Sequence, residues 1–279
     1  MNTQLRRQSG FYVIEVILII AVVAVLGFVV WMFITKKSPS QALNGITGNS
    51  NGLVEWDFNG DSWKAMGKAP ECENPLTIAS PVDVTKVNSV LLPGEVRGGD
   101  FKPHGGLGGD PSTNNMITVS AIRDAYLYRG SRYLVEGQVQ YMFDFMDSCG
   151  VMYRLDHLAT LTPEFQAYAD KLPQPQPDDS RTEKFRDHPL IKKGTMIATE
   201  VGIRQGKNVF FDLGVYDLRQ PNDASKTDLY KTDQLRIQDK EQSFYALCWF
   251  DYLTGSDKTA IKALPVRNGQ PAGTSDYCK

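Results

Sequence analysis

Metal-assisted hydrolysis needs imidazoles and carboxylates that converge on one point, and this chain offers three histidines: His104, His157 and His188. A catalytic zinc takes three protein ligands and keeps a position open for the attacking water. His104 stands in a glycine-rich run, and the next carboxylate after it is Asp110, six positions on. His157 lies between Leu155 and Leu158 in the stretch Tyr153-Arg154-Leu155-Asp156-His157-Leu158. Further on, Asn208, Phe210 and Asp212 alternate, so on a strand they share one face, where Asp212 is available as an oxygen ligand. Imidazoles and carboxylates can ligate a metal or move a proton, which makes His104, Asp110, His157 and Asp212 the side chains whose placement matters. Each has a plainer reading: His104 as part of a turn, His157 as a hydrogen-bonded core or groove-wall residue, and His188, which precedes a proline, as a solvated loop residue. A nucleophilic serine is not supported, since no G-x-S-x-G elbow is present.

The elements that would have to position these groups read mainly as β. Strand-like runs fall at 53–58, 82–92, 116–128, 133–145, 151–158, 195–201 and 209–218, separated by turns rich in Gly, Pro and Asp. One helix is expected at 163–172, where Phe165, Tyr168, Ala169 and Leu172 share a face after a Thr162 cap. Pro173 ends it and opens an extended surface excursion through Asp179. Gly194, after Lys192 and Lys193, is placed to take positive φ at a hairpin tip. Tyr126, Tyr128, Tyr133, Tyr141, Phe143, Tyr153, Phe210, Phe211 and Tyr216 are aromatic, and a minority of them are expected to line a surface.

The succession His104-Gly105-Gly106, then 119–127, then Tyr153 to Leu158, then 191–202, then Asn208 to Val215 resembles the lysostaphin-like (LytM-type) zinc endopeptidases over residues 93–218. The resemblance implies a β-sandwich or barrel domain with a groove across one sheet. It implies a zinc held by the His and Asp of the first motif and the second His of H-x-H, which makes His104 and Asp110, with Asp212 as a stand-in oxygen ligand, the residual metal candidates. It implies a catalytic-assistant role for His157. The chain departs from the pattern, since Asp110 is two positions late and Asn208 and Phe210 stand where the histidines would be. Zinc binding is thus a weakened expectation, and His104, Tyr153, His157, Asn208, Phe210 and Asp212 are expected to line a ligand groove.

The N-terminus has its own logic. From Phe11 to Ile34 the one charged residue is Glu15, and at about 1.5 Å per residue this run is long enough for a hydrocarbon core of roughly 30 Å. The order Arg6-Arg7-Gln8-Ser9-Gly10-Phe11, with Glu15 five positions after the Gly, resembles a type IV prepilin. That implies a leader at 1–10, cleavage between Gly10 and Phe11 by a prepilin peptidase, methylation of Phe11, and a helix over 11–37 in which Glu15 pairs with a neighbouring subunit. A plain signal anchor is the alternative. Charge leaves the orientation open, because lysines follow the span and arginines precede it; the resemblance implies a single-pass membrane protein with its bulk outside.

Residues 38–52 read as a flexible linker, and 53–279 as one domain. The four cysteines Cys72, Cys149, Cys248 and Cys278 lack metal-like spacing and fit two disulfides in an oxidising compartment. Three pairings are possible; Cys248 with Cys278, which would tie down the tail, is the favoured one, leaving Cys72 with Cys149. A net charge of −2, from 30 basic and 32 acidic residues, provides no footprint for nucleic acid. The expected function is non-catalytic recognition of peptidoglycan or another cell-surface glycan or peptide. A pilus-like filament subunit that assembles with pilins and an active cell-wall metalloendopeptidase are the alternatives.

Overall fold

The computed structural model describes residues 52–177, 179–267 and 274–279. The leader, the apolar span with Gly10, Phe11 and Glu15, and all but the last residue of the linker lie outside the described residues. Among those described, no helix is long and apolar enough to cross a membrane.

The domain is mainly β. A small hairpin, β1 (Trp56–Phe58) and β2 (Trp63–Ala65), is followed by β3 (Val87–Leu91), the hairpin β4 (Glu95–Arg97) and β5 (Asp100–Lys102), and β6 (Gly105–Gly109). Then come β7 (Val119–Ser120), three long strands β8 (Ala125–Val135), β9 (Gln138–Met146) and β10 (Val151–Leu161), and the helix Pro163–Ala169. The short β11 (Glu183–Lys184) and β12 (Leu190–Ile191) precede β13 (Met196–Val201) and β14 (Phe210–Asp217). Ten of these strands form one sheet in the order β11-β8-β9-β10-β14-β6-β3, with β12 on β8 and β13 bridging β10 to β7. Every pairing within it is antiparallel.

Alternation assigns the two faces. Phe143 and Phe145 on β9, Tyr153 and Leu155 on β10, and Phe211, Leu213 and Val215 on β14 point into the main core. Burying each such side chain contributes about 1.5 to 3 kcal/mol. On the opposite face Tyr128, Met146, Met152 and Tyr216 are covered at one end of the sheet by Trp56, Trp63, Tyr245 and Ala246. The other end of that face carries polar groups, among them Asp212.

Several local expectations change. The run 133–145 is a hairpin, not one strand: Glu136 and Gly137 both take positive φ (48° and 76°), as a two-residue type I′ loop requires. The glycine-rich stretch after His104 is a fully buried strand in the sheet, not a loop. A Cβ on Gly106 would fall 2.5 Å from the Phe210 ring, so only glycine lets that ring lie across β6. Thr162 does precede the helix, but its hydroxyl donates to Met196 O instead of capping. Gly194 takes φ 83° at the hairpin tip. Beyond β14 the chain forms one-turn helices and a helix at Gly255–Lys262 that the weak apolar periodicity did not announce.

Both disulfides are present, Cys72–Cys149 and Cys248–Cys278. The second anchors the C-terminal tail, where the Asp276 backbone N–H donates to Gly94 O and the Tyr277 ring packs on Gly94. The tail thereby braces the β4–β5 hairpin.

Candidate functional site

Asp212 occupies the centre of β14, facing away from the main core and 7% exposed. Its Oδ2 lies 3.0 Å from His104 Nε2 and 3.6 Å from His157 Nε2. Two imidazoles therefore converge on one carboxylate. Burial pushes that carboxyl up, but the opposing charges of His104, His157 and Arg97 outweigh it and hold Asp212 well below the usual carboxylate range.

His157 reaches this face only through a backbone irregularity. Regular alternation along β10 would send it inward with Tyr153 and Leu155. The pairing register to β9 shifts between Leu155 and Leu158, and His157 takes φ 60°. This bulge lets Asp156 and His157 both turn outward while Leu158 returns to the core. Asp156 Oδ1 accepts from the His157 backbone N–H at 2.7 Å and from the Tyr133 hydroxyl, which fixes the bulge. His157 Nδ1 lies 2.6 Å from Gln140 Oε1. With Nδ1 engaged by Gln140, Nε2 is the ring nitrogen turned toward Asp212, 3.6 Å from its Oδ2.

His104 is placed by Arg97, whose guanidinium donates to His104 O at 3.1 Å and Leu92 O at 2.8 Å while pairing with the buried Glu95. His104 Nδ1 is buried without a hydrogen-bond partner. Such a group is satisfied by water or by a ligand.

A cavity of about 730 Å³ opens on the same sheet face. Its floor includes Ser131, Met142 and Arg154, and its wall includes Pro173, Gln174, Gln176 and the segment 179–183. Ser131 pairs with Met142, and two positions further along the same strands Tyr133 pairs with Gln140. The cavity thus lies about 7 Å from the imidazole cluster. Beneath it Asp144 is fully buried and shared by Arg129 and Arg154, whose charges hold its carboxyl at about 2 against the upward push of burial.

Of the sequence candidates, the fold brings together His104, His157 and Asp212. Asp110 lies elsewhere: it is exposed and accepts from Ser112 N at 2.7 Å as the cap of a one-turn helix. Asn208 is exposed four residues before Asp212. Phe210 is on the Asp212 face but buried over the β6 glycines. Tyr153 does not line a groove; it is fully buried, stacked on Phe145 with ring centroids 4.6 Å apart, because its position on β10 faces the core. His188 is not solvated. It is 5% exposed, stacked on Tyr128, with Nε2 3.3 Å from Glu55. Of the nine aromatics considered for a surface, only Tyr126 and Tyr141 escape full burial.

Asp156, Gln140 and Arg97 were not foreseen, and Tyr133 was considered only as an aromatic that could line a surface. Asp156 sits directly before His157, but alternation would have put the two on opposite faces. The bulge reverses that. One ligand atom from each of Asp156, His157 and Asp212 falls within 4.8 Å of the others, a donor set that fits a divalent ion. Matching the chain against protein-family models, curated proteins and solved structures finds no relative in any of them.

Proposed function

We propose that this is a membrane-anchored protein, exported through a prepilin-like N-terminus, whose β domain binds a peptide or glycan of the cell surface, peptidoglycan foremost. The observation that carries the reading is the cavity beside the His104–Asp212–His157 cluster. It is large enough for a small ligand, and its lining mixes amides, hydroxyls, the guanidinium groups of Arg132, Arg154 and Arg181 and the carboxylates of Asp179 and Glu183 with a single methionine and a proline. A polar oligomer that can hydrogen-bond to groups of both signs suits such a lining. The two disulfides agree with a domain that works outside the cytoplasm. The domain would be lysostaphin-like without that family's ligand set, since Asp110 is capping a turn and Phe210 is packed on glycine.

The test is co-sedimentation of the detergent-solubilised full chain with purified peptidoglycan. Wild type is expected to sediment, and His157→Ala or Gln176→Ala to bind at least fivefold less. Failure to bind wall material or its soluble fragments sinks this reading and favours a filament subunit, the role that Gly10, Phe11 and Glu15 suggest.

A second reading has its own support. Asp156, His157 and Asp212 form a set to which His104 adds a second imidazole. Stoichiometric zinc by elemental analysis, with peptide release from peptidoglycan that a chelator abolishes, would establish a metallopeptidase instead of a binder.

A further inference from the structure

Four residues before Asp212 on the same strand face, about 13 Å away, lies a second cavity of about 340 Å³. Lys207 and Arg267 line it together with Asn88, Ser89 and Asn208, and no carboxylate does. In a chain of net charge −2 this lining is positive.

Both cationic residues are carried by hydrogen-bonded backbone. The segment Pro265 to Arg267 runs along the free edge of β3: Val90 N donates to Pro265 O at 3.0 Å, and Arg267 N donates to Val90 O at 2.8 Å. The loop that carries Lys207 is fixed from beneath by Asn115, which is fully buried. The Asn115 amide donates to Val201 O, Ile203 O and Asn208 O, and its oxygen accepts from Gly206 N. The Arg267 guanidinium passes over Gly108, 3.2 Å from where a Cβ would be, and no ion pair or hydrogen bond from it is formed among the described residues. Among the described residues, the ionic contact of Lys207 is with Glu136 at 4.0 Å.

We infer that this cavity is an oxyanion site, taking a carboxylate or a phosphate group between Arg267 and Lys207, with the Asn88 and Asn208 amides as further donors. A guanidinium suits both groups, since its paired N–H donors match two oxygens at once. Backbone anchored before binding loses little further freedom when the anion docks. The site stands apart from the His157 cluster and does not depend on what that cluster holds. If a surface polymer does lie along this face, the cavity is where its acidic group would dock.

Isothermal titration of the detergent-solubilised full chain tests this, with sodium phosphate as the probe and ionic strength held constant by chloride. We expect saturable binding at one site, at least tenfold weaker in the Lys207→Ala/Arg267→Ala double variant and partly restored when Arg267→Lys replaces Arg267→Ala. Glycerol phosphate and N-acetylglycine then distinguish a phosphate-bearing from a carboxylate-bearing source by which binds tighter. Both substitutions lie on the surface, and unchanged near-ultraviolet circular dichroism verifies the fold of the variants. Heats that follow ionic strength alone, or phosphate binding equal in wild type and the double variant, overturn the inference.

Discussion

His104 and Asp212 meet across the pairing of β6 with β14, imidazole Nε2 to carboxylate Oδ2 at 3.0 Å, although 108 positions separate them in the chain. The contact depends on the residues between the two strands being small. Gly106 pairs with Asp212, and its missing side chain is the space that Phe210 uses.

Removing the carboxylate should therefore be costly. Asp212→Asn leaves two imidazoles and Arg97 without their counter-charge, and we expect a loss of about 1 to 3 kcal/mol at pH 7 by urea unfolding. Because the folded carboxyl is held below its unfolded value, its contribution is complete above the ordinary value near 3.9 and falls away as the solution is acidified below it. Asp212→Asn should accordingly have a shallower acid limb than wild type. Parallel limbs would show that the pairing contributes nothing.

Asp239 predicts the opposite pH dependence. Burial raises its carboxyl to about 7, with Glu241 and Asp144 adding to the rise and Arg154 and Arg129 opposing it. The folded state thus holds a proton that the unfolded chain has released, so stability is greatest below about pH 4 and declines as pH rises toward 7. Asp239→Asn should stabilise by roughly 2 kcal/mol at pH 8 and be neutral at pH 4, part of the effect being lost to solvent at this half-buried group. Equal effects at the two pH values would contradict the assignment.

How far the sequence disclosed this arrangement depends on the range of the signal. The strands β10, β13 and β14 were legible in their β-rich apolar runs, and of the three possible disulfide pairings the favoured one, which ties down the tail, is the one formed. His104 and Asp212 could be named as candidates from residue type alone. Their convergence could not be foreseen, because it depends on which strands become neighbours. Tyr153 was misplaced, and the pairing of Asp156 with His157 missed, for one shared reason: a single residue at φ 60° breaks the alternation that would otherwise keep Tyr153 and His157 on one face, and nothing in the residue types marks it. His188 was misjudged because the polar residues around it suggest solvent, while its ring stacks on Tyr128 and lies against Leu127 O, 61 positions away in the chain.

The folded protein should carry no free thiol. All four cysteines are paired, so alkylation after unfolding without reductant should add no mass. Reduction should lower the melting temperature, since opening loops of 30 and 77 residues forfeits roughly 3 to 4 kcal/mol each on the chain-entropy account. The Cys278→Ser variant is the sharper probe. Freeing the tail loosens the β4–β5 hairpin and with it Arg97, so the His157 and His104 resonances should shift. Unshifted imidazole signals in that variant would separate the tail from the site.

Export is tested at the other end of the chain. Gly10 is where a prepilin peptidase would read the leader, and a β-branched residue there blocks close approach of the backbone. In cells that contain the peptidase we expect the mature protein to begin at methylated Phe11, and Gly10→Val to accumulate as a precursor longer by the leader. Glu15→Ala tests a separate step: if Glu15 pairs with the N-terminal amine of a neighbouring subunit, this variant should be cleaved normally yet fail to enter any filament. Intact mass of the membrane-extracted chain reads the first expectation directly. A wild-type protein that retains Met1 in such cells would end the prepilin reading and leave a simple signal anchor in its place.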